Sequence, residues 1–430
     1  MIPTYKQLTP FLNLKTVQTD KFKTERFSVC IIIPPEERLM PVSRFVFHVL
    51  KRGCKKYPTQ RELNVRLDDL YSAAVSTRFW DGIGSCKIGF VAEMLGDEYT
   101  DGSVFDGTVE LLFDMLWEPL LDEKGYFTSK NVDLARENIC DSIRSVINNP
   151  RQYALKRFWE TMYEGDGCAL PRNGTVELIE SVSADELIKT YNDLVRNSSY
   201  EVSYIGSKSP SDVEKIVKRY FEKFGYGKEK SCKYPVSFAV DTKKVKRVTE
   251  TMKLSQGKLV MGYKSGVNIT CGKDYYSLVV LNEIFGASPV SKLFMNVREK
   301  LGLCYYCSSK LDSGKGCIIV SSGIEKSDFK KAECEIKKQF SNIQHGKISE
   351  LEFTSAIKSL LNLYSETTDS AVSIEGFYNI RNEYSIDDTI EDAKQKIREV
   401  TLDDVIRISK GVVLDTVYFL CGREDGDCDD

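Results

Sequence analysis

Two histidines occur in the 430 residues, His48 and His345, 297 positions apart. A zinc-hydrolase helix of the H-E-x-x-H or H-x-x-E-H kind needs two imidazoles one turn apart on a single helical face. This spacing argues against that chemistry. Thirteen cysteines, an odd number, scatter irregularly and often fall in apolar runs, as Cys30, Cys140, Cys304, Cys317 and Cys421 do. That distribution suits reduced, buried thiols better than a disulfide framework. One C-x-x-C pair is present, Cys304 and Cys307. Its run reads as a strand, where positions three apart are expected on opposite sides of a sheet, and no second pair completes a four-cysteine zinc site. Arg298, at the end of a candidate helix, and Tyr305, at the start of the next candidate strand, could converge on a carbonyl oxygen and stabilise negative charge developing there. The competing reading gives Arg298 a surface ion pair with Glu299 or Asp312 and makes Tyr305 a half-buried strand aromatic.

These side chains need elements to hold them. Clusters of β-branched and aromatic residues predict strands over 27–33, 73–79, 85–93 and 201–205. Helical periodicity covers 40–51, 59–70, 107–117, 130–147, 152–162, 184–196 and 211–224. The polar, glycine-punctuated stretch 225–231 is the candidate linker. Beyond it the pattern starts again, with strands over 249–254, 258–263, 304–310, 317–322 and 416–420. The helices expected with them cover 274–284, 290–300, 327–343, 349–364, 371–380 and 402–409. The chain ends in an acidic tail, 424–430.

The two halves read as copies of one unit. Ser183 and Glu186 form a capping-box start that leads to a strand ending at Gly206; Thr401 and Asp404 lead in the same way to Gly422. The offsets are 218 and 216 residues, whereas the earlier pair Gly53 and Gly286 is offset by 233. The 17 extra residues of the first copy are expected after Leu95, around 96–102. The fold class is therefore α+β: two homologous halves, 1–226 and 236–423, each a mostly antiparallel sheet with helices packed on one face.

Composition bounds the function. Lys and Arg number 60 against 63 Asp and Glu, for a net charge of −3, with no sustained basic run, so nucleic acid is not an expected partner. No secretory leader is visible at the N-terminus, and the longest aliphatic stretch, 29–33, is far too short to span a bilayer. A soluble, cytoplasmic protein without membrane attachment is expected.

The segment 44–58, with His48, Gly53 and Tyr57, resembles the active-site helix and following turn of the insulinase-type (pitrilysin, processing peptidase) zinc peptidases, where H-x-x-E-H precedes K-G-T-x-x-Y. The run 291–305 is similar to the S-x-L-F-x-x-x-R-E-x-x-G-L-x-Y signature of the same family. The resemblance implies the metallohydrolase-like LuxS/processing-peptidase fold in a clamshell arrangement. It also implies a degenerate zinc site. His48 falls on the second ligand histidine, but Arg44 stands at the first ligand, Phe47 at the catalytic glutamate and Ser142 at the distal ligand, with Asp141 one residue away. A catalytic zinc needs three such ligands and an open position for water, and without a carboxylate at Phe47 nothing takes the proton from that water. His48 then reads as an inherited, partly buried helix histidine. A rebuilt site of His48, Asp141 and Cys54 would use residues that the resemblance does not place together.

In the family, the arginine and tyrosine matching Arg298 and Tyr305 hold the substrate backbone near the scissile bond. The flanking residues look like the non-catalytic, YfmF-like bacterial branch, whose members accompany an active sister peptidase and in some cases are linked to aminopentanol modification of elongation factor P. The implied function is a non-catalytic subunit that lends Arg298 and Tyr305 to a sister subunit's peptide site. That partner would supply the zinc, and this chain would carry no cofactor. Self-association is the alternative to a heterodimer. The alternatives in function are a peptide-binding or scaffold protein with no part in proteolysis, and a weak zinc peptidase with a rebuilt site.

Overall fold

The computed structural model describes residues 2–82, 85–100, 102–165, 172–225, 227–228 and 244–422. Most of the expected linker and the acidic tail 424–430 lie outside them. Among the described residues eleven strands form two sheets. In the first, β1 (Thr4–Thr9), β2 (Leu12–Gln18), β3 (Thr24–Ile33), β4 (Ala74–Asp81), β5 (Cys86–Leu95) and β6 (Ser199–Gly206) stand in the order β1-β2-β6-β3-β5-β4. In the second, β7 (Lys246–Met252), β8 (Gly257–Lys264), β9 (Cys304–Asp312), β10 (Cys317–Ile324) and β11 (Val413–Gly422) stand in the order β7-β11-β8-β10-β9.

The duplication is visible strand by strand. Apart from β1, each strand of the first sheet matches the strand five places later in the second. Even the single parallel pairing of each sheet is repeated, β2 with β6 and β7 with β11. The caps read from sequence occupy equivalent places: Ser183 accepts from the Glu186 amide at the start of Ala184–Asn197, and Thr401 forms a full capping box with Asp404. The halves are thus homologous α+β units, as expected. Strands β1 and β2 and the helices Val176–Ser181 and Ile390–Arg398 are additional to the sequence reading.

The compact units do not follow the sequence halves 1–226 and 236–423 throughout. The described residues of Met1–Arg144, Leu170–Val236 and Ser370–Asn379 form the first unit, and those of Ser145–Ala169, Ser237–Asp369 and Ile380–Asp430 the second. Each half therefore gives the other unit one segment at an equivalent point of the repeat, helix Pro150–Met162 in one direction and the start of helix Ala371–Glu383 in the other. Hydrophobic periodicity shows that a helix will be buried but not which copy of the sheet will bury it.

The helices of each half line one sheet face, and the transferred segment takes the opposite one. In the first unit Phe27, Val29 and Ile31 of β3 face the main core with Phe105, Phe113 and Trp117 of helix Val104–Trp117. Alternation turns Arg26, Ser28 and Cys30 to the other face, where Glu375 of the transferred segment binds the Arg26 and Ser28 side chains. In the second unit Ala154, Phe158 and Met162 pack on Val260, Ile319, Tyr418 and Leu420. Gly262 lets that helix approach, since a Cβ there would stand 2.5 Å from Phe158 Cζ. The length difference between the copies is also spread more widely than expected. The turn 96–103 spans eight positions against four for 325–328, and 163–175 spans thirteen against six for 384–389.

Candidate functional site

Helix α1 (Leu39–Leu50) is apolar on nearly every side, and Phe45, Val46, Val49 and Leu50 are all buried. Arg44 and His48 lie one turn apart on its one half-exposed stripe. Both meet Phe79 of the edge strand β4. The Arg44 guanidinium carbon is 4.8 Å from the Phe79 ring centre, and the imidazole is 5.8 Å from it at 33°. Arg44 Nη1 also donates to Asn173 Oδ1 at 2.6 Å. Phe47 points inward, fully buried, with its ring 5.2 Å from that of Phe90. Burial, reinforced by the charges of Lys51, Arg44 and Arg52, pushes the His48 imidazole down to about 4.

These residues do not fit a catalytic zinc. The position that would need a carboxylate holds a core phenylalanine, and a guanidinium lies beside the one imidazole, where its charge repels a divalent ion. Ser142 and Asp141 are exposed on helix Ser129–Ser145, and Asp141 sits 3.5 Å from Arg144, itself 3.2 Å from Glu180. Among the described residues no three His, Cys, Asp or Glu side chains are grouped to hold a metal ion, so His48, Asp141 and Cys54 do not assemble a replacement site. Phe79 and Asn173 carry no motif, and sequence reasoning missed them; the edge position of β4 is what brings Phe79 against α1.

The second candidate site lies wholly in the second unit. Arg298 sits in Leu293–Lys300, wound as a π-helix, a form that recurs at functional sites. The helix ends through Gly302, at φ +60°, whose amide donates to the Arg298 carbonyl at 3.0 Å while the Leu303 amide donates to that of Val297 at 3.2 Å. This left-handed turn suits glycine and delivers the chain into β9, the edge strand of its sheet. The Arg298 guanidinium lies 4.5 Å from the Phe294 ring centre, with Nε 3.5 Å from Glu299. The Glu299 pairing raised from sequence is thus present, although the Arg298 side chain stays 38% exposed.

Tyr305 is 80% exposed, the most open of the large hydrophobic side chains among the described residues. The register across β9 and β10 explains this. Cys307 pairs with Ser322 and Tyr306 with Gly323, but Ile324 pairs with Cys304, so Tyr305 is the extra residue of a β-bulge. The bulge overturns the expectation that Cys304 and Cys307 face opposite ways. Opposite Ser322 and Ile324, two residues apart on β10, they share a face. A one-residue insertion leaves no mark in composition or spacing.

In its duplicated two-sheet fold the chain resembles the insulinase-type (M16) metallopeptidases and, among them, the inactive members. Residues 181–360 match the family model described as the peptidase M16 inactive domain. The chain is 29% identical over 416 residues to the probable inactive metalloprotease YmfF of Bacillus subtilis, covering 96% of each; the branch labelled YfmF-like above corresponds to this protein. It is 26% identical over 316 residues to the uncharacterized zinc protease YmxG of the same organism, covering 72% of this chain and 70% of that protein. The crystal structure of a conserved protein from Enterococcus faecalis superposes with a TM-score of 0.88 at 24% identity, over 99% of this chain and all of that one. That of a peptidase M16 inactive domain from Pseudomonas fluorescens gives 0.77 at 13%, over 99% of each chain. Among the described residues no helix is long and apolar enough to cross a membrane.

Proposed function

We propose that this chain is the non-catalytic subunit of an insulinase-type peptidase pair. It binds peptide substrate through Arg298 and Tyr305, beside a sister subunit that supplies the zinc, its ligands and the catalytic carboxylate. The observation that carries the reading is an asymmetry: Arg44 and the buried Phe47 stand on α1 where the resemblance expects a ligand and a carboxylate, while Arg298, in the helix that leads into β9, and the outward-turned Tyr305 at the start of β9 both stay open to solvent. A guanidinium on the helix that leads into an edge strand and a phenol on that strand can each donate to a peptide carbonyl. The reading places the protein in the cytoplasm, carries no cofactor in this chain, and keeps the link to aminopentanol modification of elongation factor P that the resemblance implies.

Mixing the purified chain with a sister subunit that retains H-x-x-E-H tests it. Peptidase activity should appear in the mixture and fall with Arg298→Ala and Tyr305→Phe; activity indifferent to both substitutions overturns the proposal. A second reading is favoured by the edge position of β9: a peptide-binding scaffold that holds an extended segment by strand addition, with no proteolysis. In that case a fluorescent peptide binds this chain alone and is not cleaved by the pair.

A further inference from the structure

The C-x-x-C pair plays no part in the proposed function, and the bulge changes what it can do. Cys304 and Cys307 lie on one face of β9, and the Cys307 thiol is within hydrogen-bond reach of the Cys304 sulfur. The Ser322 hydroxyl of the neighbouring strand donates to the carbonyl of Tyr306, between the two cysteines, at 2.9 Å. Both cysteines are free, Cys304 partly open to solvent and Cys307 buried. Arg298 places its positive charge near Cys304.

We propose that Cys304 and Cys307 form a redox-active dithiol that closes to an intrastrand disulfide by exchange with a small-molecule disulfide. The two thiols are not equivalent. The hydrogen bond from Cys307 draws the Cys304 pKa down, with Ser322 and Arg298 helping against the burial that opposes it. The Cys307 pKa is raised well above the ordinary value by the same hydrogen bond and by burial. Cys304 is therefore the accessible attacking thiolate and Cys307 the protected resolving thiol.

In the first step Cys304 sulfur attacks one sulfur of the external disulfide, forming a mixed disulfide and releasing one thiolate. In the second, Cys307 gives up its proton and attacks Cys304 sulfur, releasing the other thiolate. Two protein thiols lose two electrons and two protons, and one disulfide becomes two thiols. The closed ring spans Tyr305 and Tyr306, so it covalently fixes the bulge that turns Tyr305 outward. The pairing stands whether or not Tyr305 binds a peptide.

The test uses the full chain equilibrated in buffers of reduced and oxidised glutathione, quenched in acid, alkylated and digested with trypsin. The fragment 301–310, between Lys300 and Lys310, holds both cysteines and no other. As oxidised glutathione rises, this fragment should pass from doubly alkylated to unalkylated and two hydrogens lighter. Cys307→Ser should trap glutathione on Cys304, whereas Cys304→Ser should leave Cys307 of the folded protein unreacted. A fragment that stays doubly alkylated across the range overturns the proposal. So does disulfide formation between Cys304 and a cysteine elsewhere, or a Cys307→Ser protein that gains no adduct.

Discussion

Removing the Glu375 carboxylate should unfold the first unit at much lower denaturant and leave the second nearly unchanged. Glu375 is 1% exposed and sits on the polar face of the first sheet. There it accepts from Arg26 Nε at 2.7 Å and Ser28 Oγ at 2.8 Å, and also from Arg78 Nη1. The two arginine side chains are only 10% and 14% exposed. Glu375→Ala takes the ion-pair partner from the buried Arg78 and leaves Arg26 with only the half-exposed Glu93, a loss of about 3–5 kcal/mol, and deprives the Ser28 hydroxyl of its acceptor for about 1 kcal/mol more. A total near 5 kcal/mol, at a urea dependence of about 3 kcal/mol per molar, lowers the midpoint of that unit by about 1.7 M.

The three tryptophans make the assay specific. Trp80 and Trp117 belong to the first unit and Trp159 to the second, so in a Trp159→Phe background fluorescence reports the first unit alone. Replacing all three charged residues together, Arg26→Met, Arg78→Met and Glu375→Leu, should restore most of the loss, because the buried cluster is then removed whole and only Glu93, whose side chain is 50% exposed to water, loses a partner. A Glu375→Ala midpoint within about 0.2 M of the parent, equivalent to about 0.5 kcal/mol, would refute the reasoning, as would a triple variant less stable than the single one.

Two further outcomes follow from the same interactions. Below neutral pH, His48 should cost stability. Its folded pKa of about 4 lies under the ordinary 6.5, so the unfolded chain takes up the proton first. Stability should fall by about 1–3 kcal/mol as pH drops from 6.5 towards 4, and His48→Phe should flatten that part of a urea-midpoint profile; an unchanged slope contradicts the assignment. Phe47→Ala should cost about 3–5 kcal/mol in the same unfolding assay, since it empties a fully buried site against Phe90. A cost under about 1 kcal/mol would mean that the ring is not part of the core.

The legible parts of this fold are those written in short-range signals. Ser183 with Glu186 and Thr401 with Asp404 marked equivalent helix starts, and from them the duplication followed that the two strand orders repeat. Arg44, Phe47 and His48 could be placed on one helix because periodicity defines α1. What stayed hidden is non-local. No local pattern distinguishes helix Pro150–Met162 packing on β8 and β11 from the same helix packing on its own half's sheet, and Glu375 meets Arg26 across 349 positions. The bulge at Tyr305 is a register event set by pairing with β10, so the shared face of Cys304 and Cys307 could not be read from a spacing of three. The strands β1 and β2 lack the β-branched clusters that marked the others, and only sheet pairing defines them.

The central claim is that this chain lends substrate-binding groups to a zinc centre it does not itself contain. The specificity constant kcat/KM of the zinc-loaded sister subunit, measured on a peptide substrate with and without this chain, tests it most directly. The account predicts activity that depends on both subunits. Arg298→Ala should lower kcat/KM by about 10–100-fold through loss of a charged hydrogen bond, and Tyr305→Phe by about 3–10-fold. Equal activity without this chain, or zinc-dependent activity from this chain alone, would contradict it.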